Sequence, residues 1–132
     1  MTAARLKSQN GDLLVRDGTT DTSIKSGVAK AHINFNMTGT PAIRDDLNFS
    51  SLTDGASGNC TANYTNNMGN VNYTYVTSGE YDGGVHAGML LWNHDANTAL
   101  TTANFPVLGF KTHDTGVADL KFATIVIFGD LA

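Results

Sequence analysis

Charge is scarce in this chain, and basic charge is scarcest. Of 132 residues, 8 are Lys or Arg and 12 are Asp or Glu, for a net charge of −4. The basic residues are scattered. That argues against a phosphate-binding surface, and so against DNA or RNA as a partner. Cysteine occurs once, at Cys60, so no intrachain disulfide can form. His32, His86, His94 and His113 are never paired at zinc-ligand spacing, and there is no second cysteine to complete a site; no metal or other cofactor is expected. No apolar run approaches the roughly 20 residues of a membrane-spanning helix, and the amino terminus lacks the apolar core of a signal peptide. The expectation is synthesis in a cytoplasm without membrane insertion. The Gly-x-Ser-x-Gly elbow and the Gly-rich phosphate loop are also missing, and no enzymatic activity is expected.

Glycine, asparagine and threonine stand where charge is lacking. Thr suits a pleated, half-buried surface, whereas Gly and Asn accept the positive φ angles of tight turns. Between such turns the pattern has a period of two. Ala29, Ala31, Ile33, Phe35 and Met37 share one parity, and Lys30, His32, Asn34 and Asn36 the other, which predicts a strand over 28–37 with one buried face. Cys60, Ala62 and Tyr64 alternate with Asn59, Thr61 and Asn63 after the turn Asp54-Gly55-Ala56-Ser57-Gly58, so 46–53 and 59–65 read as an antiparallel hairpin. Val71, Tyr73, Tyr75 and Thr77 form a further alternating run, which Gly79 to Gly84 breaks. Val85 to Trp92 is an apolar strand with Gly88 as a close-approach point. Asp17-Gly18 predicts a small hairpin over about 12–25, after a polar arm at 1–11.

With no helix of three turns and no internal repeat, these strands predict an all-β domain, an antiparallel β-sandwich of jelly-roll-like form, over 27–132. Residues 1–26 are read as an arm with a small β-hairpin. The last strand, 119–128, is apolar on both faces. A small β domain with such a strand gains core and protects its edges by association, so Val126, Ile127 and Phe128 are the expected contact of a homotrimer.

Three groups of polar and aromatic residues invite a chemical reading. Glu80 and Asp82 flank Tyr81 and are the carboxylates best placed to share a face; a turn dressed with acids accounts for them. Cys60 alternates with inward residues and reads as a small buried hydrophobe. Trp92 ends an apolar strand and opens the polar stretch Asn93, His94, Asp95, which is the kind of platform on which a sugar ring stacks. Trp92, Asn93, His94 and Asp95, with Tyr81 and Asp82, are therefore the expected receptor-binding residues, for a glycan of a host surface.

A longer pattern also stands out. The stretch Gly27-Val28-Ala29-Lys30-Ala31-His32-Ile33-Asn34-Phe35-Asn36, then Gly39 to Asp45, Leu47 to Asp54, Gly58 to Thr65, and Met68, Asn72 and Tyr73, resembles a block near the end of phage tail-fibre and virion-appendage proteins. Phe122 to Asp130 is similar to the closing strand of those domains. The resemblance covers about 27–76 and, more weakly, 120–130. It implies a phage virion as the location, a β-rich and homotrimeric domain, and other virion proteins as partners, with 1–26 as the attachment segment. With no shaft ahead of the block, a short tail fibre or appendage tip is expected. Capsid decoration, stabilising the head, is the alternative it also allows.

Overall fold

The computed structural model describes residues 5–9, 12–17, 19–81, 87–92, 99–112 and 116–132. These residues form antiparallel β-strands in two sheets, with a single 3-10 turn at Lys25–Gly27 and no α-helix. Strands β1 (Arg5–Gln9), β2 (Asp12–Asp17) and β3 (Thr20–Ser23) make a three-stranded meander. Strands β2 and β3 pair antiparallel, as the expected hairpin requires, with Asp17 paired to Thr20 and the Arg16 guanidinium gripping the Asp21 carboxylate at 2.6 and 2.8 Å. The expected polar arm is instead partly a strand, since β1 pairs with β2 from Arg5↔Arg16 to Gln9↔Asp12. The two residues between that last pair are Asn10 and Gly11, a hairpin signal of the same class as Asp-Gly.

The second sheet has eight strands in the order β5-β4-β11-β8-β9-β10-β7-β6. Their ranges are β4 (Ala31–Asn36), β5 (Ala42–Leu47), β6 (Phe49–Asp54), β7 (Asn59–Tyr64), β8 (Thr74–Glu80), β9 (Ala87–Trp92), β10 (Asn104–Lys111) and β11 (Phe122–Phe128). The sheet curls until its edges, β5 and β6, approach each other, and only Asn48 separates them in the chain. The result is a nearly closed antiparallel barrel. It contains two overlapping Greek keys: β11 returns beside β8 after the β8-β9-β10 meander, and β7 lies beside β10 at its other side. As in a jelly roll, the first and last strands of the barrel (β4 and β11) pair; β5 and β10, however, are not neighbours.

The core follows from alternation. Ala31, Ile33 and Phe35 on β4 and Ala123, Ile125 and Ile127 on β11 are all fully buried, and Cys60, Ala62 and Tyr64 of β7 face Phe105 and Val107 of β10 across the adjoining ladder. Met37 continues the inward parity of β4 and is 1% exposed, as the spacing requires. The strand expected over 46–53 is broken at Asn48, whose φ of 62° turns the chain from one sheet edge to the other, and β6 beyond it pairs with β7 as the expected hairpin requires. Strand β8 starts later than the alternation suggests and runs through Gly79 to Glu80. Gly79 pairs with Gly88, and fully buried Leu120 lies over both; a Cβ on Gly88 would meet Leu120 Cδ2 and the Tyr81 nitrogen at 2.7 Å. These glycines are close-approach points inside strands, not turns. Leu120 is held there by the backbone: its carbonyl accepts from Met37 N at 2.8 Å, and Lys121 N donates to Glu80 O at 2.9 Å.

Candidate interaction surface

The pairing around the barrel is uneven. Among the described residues, strand β8 holds seven residue pairs with β11, from Phe122↔Glu80 to Phe128↔Thr74, but two with β9, Gly79↔Gly88 and Glu80↔Ala87. Beyond those two pairs β8 and β9 diverge. A side chain then takes over from the ladder: Thr77 Oγ1 donates to Leu90 O at 2.6 Å. A shallow cleft of about 360 Å³ opens along this seam, lined by Thr77, Ser78, Gly79, Met89, Leu90 and Leu91 among others.

The surface on both sides of the seam is apolar. Outward parity places Val76 on β8 directly opposite Val126 on β11, with Phe128 two residues further along β11. Across the seam, Met89 and Leu91 of β9 stand opposite Phe110 and Leu108 of β10. Val76 is 57% exposed, Met89 47% and Leu91 39%. No Asp, Glu, Lys or Arg occurs in Thr74–Gly79, Gly88–Trp92, Asn104–Phe110 or Phe122–Gly129. Exposed Glu80 bounds this apolar face at the Gly79 end of β8.

The residues expected at a contact between copies divide by parity. Val126 and Phe128 lie on this outer face, half-buried. Ile127 lies inside the protomer's own core at 0% exposure, between Ala31 and Tyr75 in the ladders, and has nothing to offer a partner. Among the expected receptor-binding residues, Asn93, His94, Asp95 and Asp82 lie outside the described residues. The other two are not brought together. Tyr81 follows the Gly88 end of β9 and Trp92 closes its far end, four residues along, so a strand's rise puts them roughly 13 Å apart. Both rings pack against the barrel core, and Lys111 Nζ lies 5.7 Å from the Tyr81 ring centroid.

Elsewhere single apolar side chains such as Val28, Leu47 and Val117 are exposed among polar ones, many of which bond their own neighbours. On β6 and β7, Asn63 Nδ2 donates to Ser51 Oγ at 3.1 Å and to Thr53 Oγ1 at 3.0 Å. On β4 and β11, Asn34 Nδ2 donates to Thr124 Oγ1 at 3.0 Å. His32 Nε2 is 3.6 Å from Asp45 on β5, an exposed pair. Among the described residues no three His, Cys, Asp or Glu side chains converge as a metal site would need. Burial, helped by Asp54 and Asp119, pushes the Cys60 thiol up to about 11, so it is protonated at neutral pH and no nucleophile.

The free edges of the barrel contrast with the seam. Strand β5 carries Arg44, Asp45 and Asp46, and a bulge at Asn34/Phe35 in its ladder with β4 sets Arg44 out of register, its guanidinium over the Phe122 ring at 4.1 Å. Strand β6 has a bulge between Phe49 and Ser51 and ends on Asp54. Charges and bulges are what keep an edge strand from pairing with another chain. The stretch of β8 before Gly79 that faces the seam has neither, which the alternation pattern alone did not reveal. Compared with known proteins, the chain matches no family model, no curated protein and no solved structure.

Proposed function

We propose that this chain is a structural protein of a bacteriophage virion: a short tail fibre or appendage tip, assembled as a homotrimer, that contributes to contact with the host surface. The observation that carries this reading is the ordered block over about 27–76 that resembles virion-appendage domains. Within the fold that block supplies β4 to β7 and leads into β8, so the resemblance extends over a contiguous half of the barrel. The apolar outer side chains Val76, Val126 and Phe128 on β8 and β11 support assembly from several copies. The Asn, Ser and Thr side chains on the outside of β6 and β7 support a weak, polar contact with a glycan, which three copies would multiply into avidity. The amino-terminal meander is the natural segment for a second virion protein to hold, because none of its described residues belongs to the barrel core.

Cryo-electron microscopy of the parent particle tests the reading. Density for this chain on the tail or its appendages is the expected result, together with slowed phage adsorption when purified protein is added to cells. Regular density on the capsid axes, with no effect on adsorption, would overturn the appendage role in favour of capsid decoration.

A further inference from the structure

The line between β8 and β9 is the most thinly bonded in the eight-stranded sheet. Among the described residues, every other pair of neighbouring strands there is joined by five to seven residue pairs, and β8 and β9 by two. We propose that the barrel wall opens locally along this seam, with Gly79 and Gly88 as the hinge and the Thr77 hydroxyl as the latch. Leu90 is then reached from solvent while the rest of the core stays closed. The opening belongs to the single chain and does not depend on the assembly proposed above.

Three features lead there. The first is where the pairing stops. Strand β8 keeps seven pairs with β11, and β9 keeps five with β10, so each is held on its far side and can part from the other without leaving the sheet. The second is the latch. In the register set by Gly79↔Gly88, Thr77 stands opposite Leu90, where the ladder has already ended. Thr77 Oγ1 reaches across to Leu90 O at 2.6 Å. One such bond shifts the balance between closed and open by a factor of about three to ten. The third is the hinge and what lies beside it. At Gly79↔Gly88 no side chain holds the two strands in one geometry, and glycine backbone turns more freely than any other. Fully buried Leu120 fills the space that side chains there would take, so the hinge end stays packed. Beyond it runs the cleft of about 360 Å³, and among its lining residues Leu90 alone is buried, at 2% exposure. Cys60 is placed quite differently, on β7 between two ladders of five pairs each.

Thiol labelling of the full chain tests this. Leu90→Cys in a Cys60→Ala background puts one thiol behind the seam, and the parent chain carries its own, Cys60, behind closed ladders. With a disulfide-exchange reagent in excess, the Leu90→Cys thiol should react about tenfold or more faster than global unfolding of its chain allows, with little dependence on low urea. Cys60 should follow global unfolding and climb steeply with urea. Thr77→Val should speed the Leu90→Cys reaction about three- to tenfold, and Thr77→Ser, which keeps the hydroxyl, should leave it near the parent rate. Thr124→Val removes the Asn34–Thr124 bond between β4 and β11, which the opening leaves intact. It should therefore speed the labelling of Cys60 and not that of Leu90→Cys. Where circular dichroism finds Leu90→Cys unfolded, hydrogen exchange of the parent chain at the Gly79↔Gly88 and Glu80↔Ala87 pairs, set against β4 and β11, reads the same opening. A thiol, or amides of those pairs, released only at the rate of global unfolding would overturn the opening. Equal rates for Thr77→Val and Thr77→Ser would overturn the latch. A Thr124→Val chain that labels at Leu90→Cys as fast as Thr77→Val does would show that the wall does not part at the seam.

Discussion

Cys60 points inward from the second position of β7 and is 3% exposed. In the unfolded chain its thiol titrates near the ordinary value of 9.0, whereas burial and the nearby Asp54 and Asp119 carboxylates hold it protonated in the fold up to about 11. Between those two values the native state binds more protons than the unfolded one. Stability is therefore full below pH 9.0 and falls as pH rises towards about 11. Tyr64 and Tyr73 act in the same direction, since burial raises both hydroxyls above 10.0, Tyr64 furthest. The expected outcome is a denaturant midpoint that declines through this window, and a shallower decline for Cys60→Ala. Parallel declines for the two proteins would show that the thiol contributes nothing. Below the window the thiol is protonated and enclosed, so a disulfide-exchange reagent should label it only as the protein unfolds.

Asn48 decides how two elements relate. It is the single residue between β5 and β6, and at φ 62° it sits in the left-handed region that asparagine tolerates better than most side chains. Its side chain also ties the corner to the end of β7: Oδ1 accepts from Asn66 N at 2.8 Å and from Asn66 Nδ2 at 3.1 Å, while Nδ2 donates to Asn66 O at 3.0 Å. Asn48→Ala loses those bonds and takes on the cost of a left-handed conformation, together about 1–3 kcal/mol of stability. Asn48→Gly keeps the angle and should lose less. Equilibrium urea unfolding measures both, and an alanine variant as stable as the parent would refute this account. The same residue shows what a sequence can and cannot reveal. Strands β4 and β7 were legible because each buries one face and wets the other, and burial imposes a period of two on the residues themselves. The corner at Asn48 left that period undisturbed, so it passed for the middle of a strand. The seam was hidden for a different reason: it depends on Gly79, Gly88 and Leu120 meeting across long stretches of chain, which no local pattern encodes. Alternation marked Ile127 and its neighbours as apolar on both faces, but only the register with Ala31 and Tyr75 shows that Ile127 faces inward. Trp92 and Tyr81 were recognisable as aromatics at strand ends, but the sequence does not record that β9 holds them apart.

Across the whole molecule, the two sheets differ in what they bury. The barrel encloses a contiguous core drawn from β4, β6 to β11 and the segments between them. The meander of β1 to β3 contributes no described residue to that core, and Leu13 on β2 is 44% exposed. The turn that follows it is joined to the carboxy terminus by the exposed Lys25–Asp130 pair at 3.7 Å, which removal of residues 1–24 would leave in place. The barrel's own connection upstream is firmer: Lys30 N donates to Ile127 O at 2.8 Å, extending the β4–β11 ladder by one bond. Removing residues 1–24 should therefore leave the barrel's cooperative unfolding intact, with its midpoint lowered by a few degrees at most. The trimer proposed above should survive as well, because Val76, Val126 and Phe128 lie on the barrel. A truncated chain that fails to fold would place part of the barrel's stability in the meander. A truncated chain that folds but sediments as a monomer, where the full chain is a trimer, would place the proposed contact between copies on the amino-terminal sheet, where Leu13 and Val15, sharing one parity on β2, would then be the side chains to substitute next.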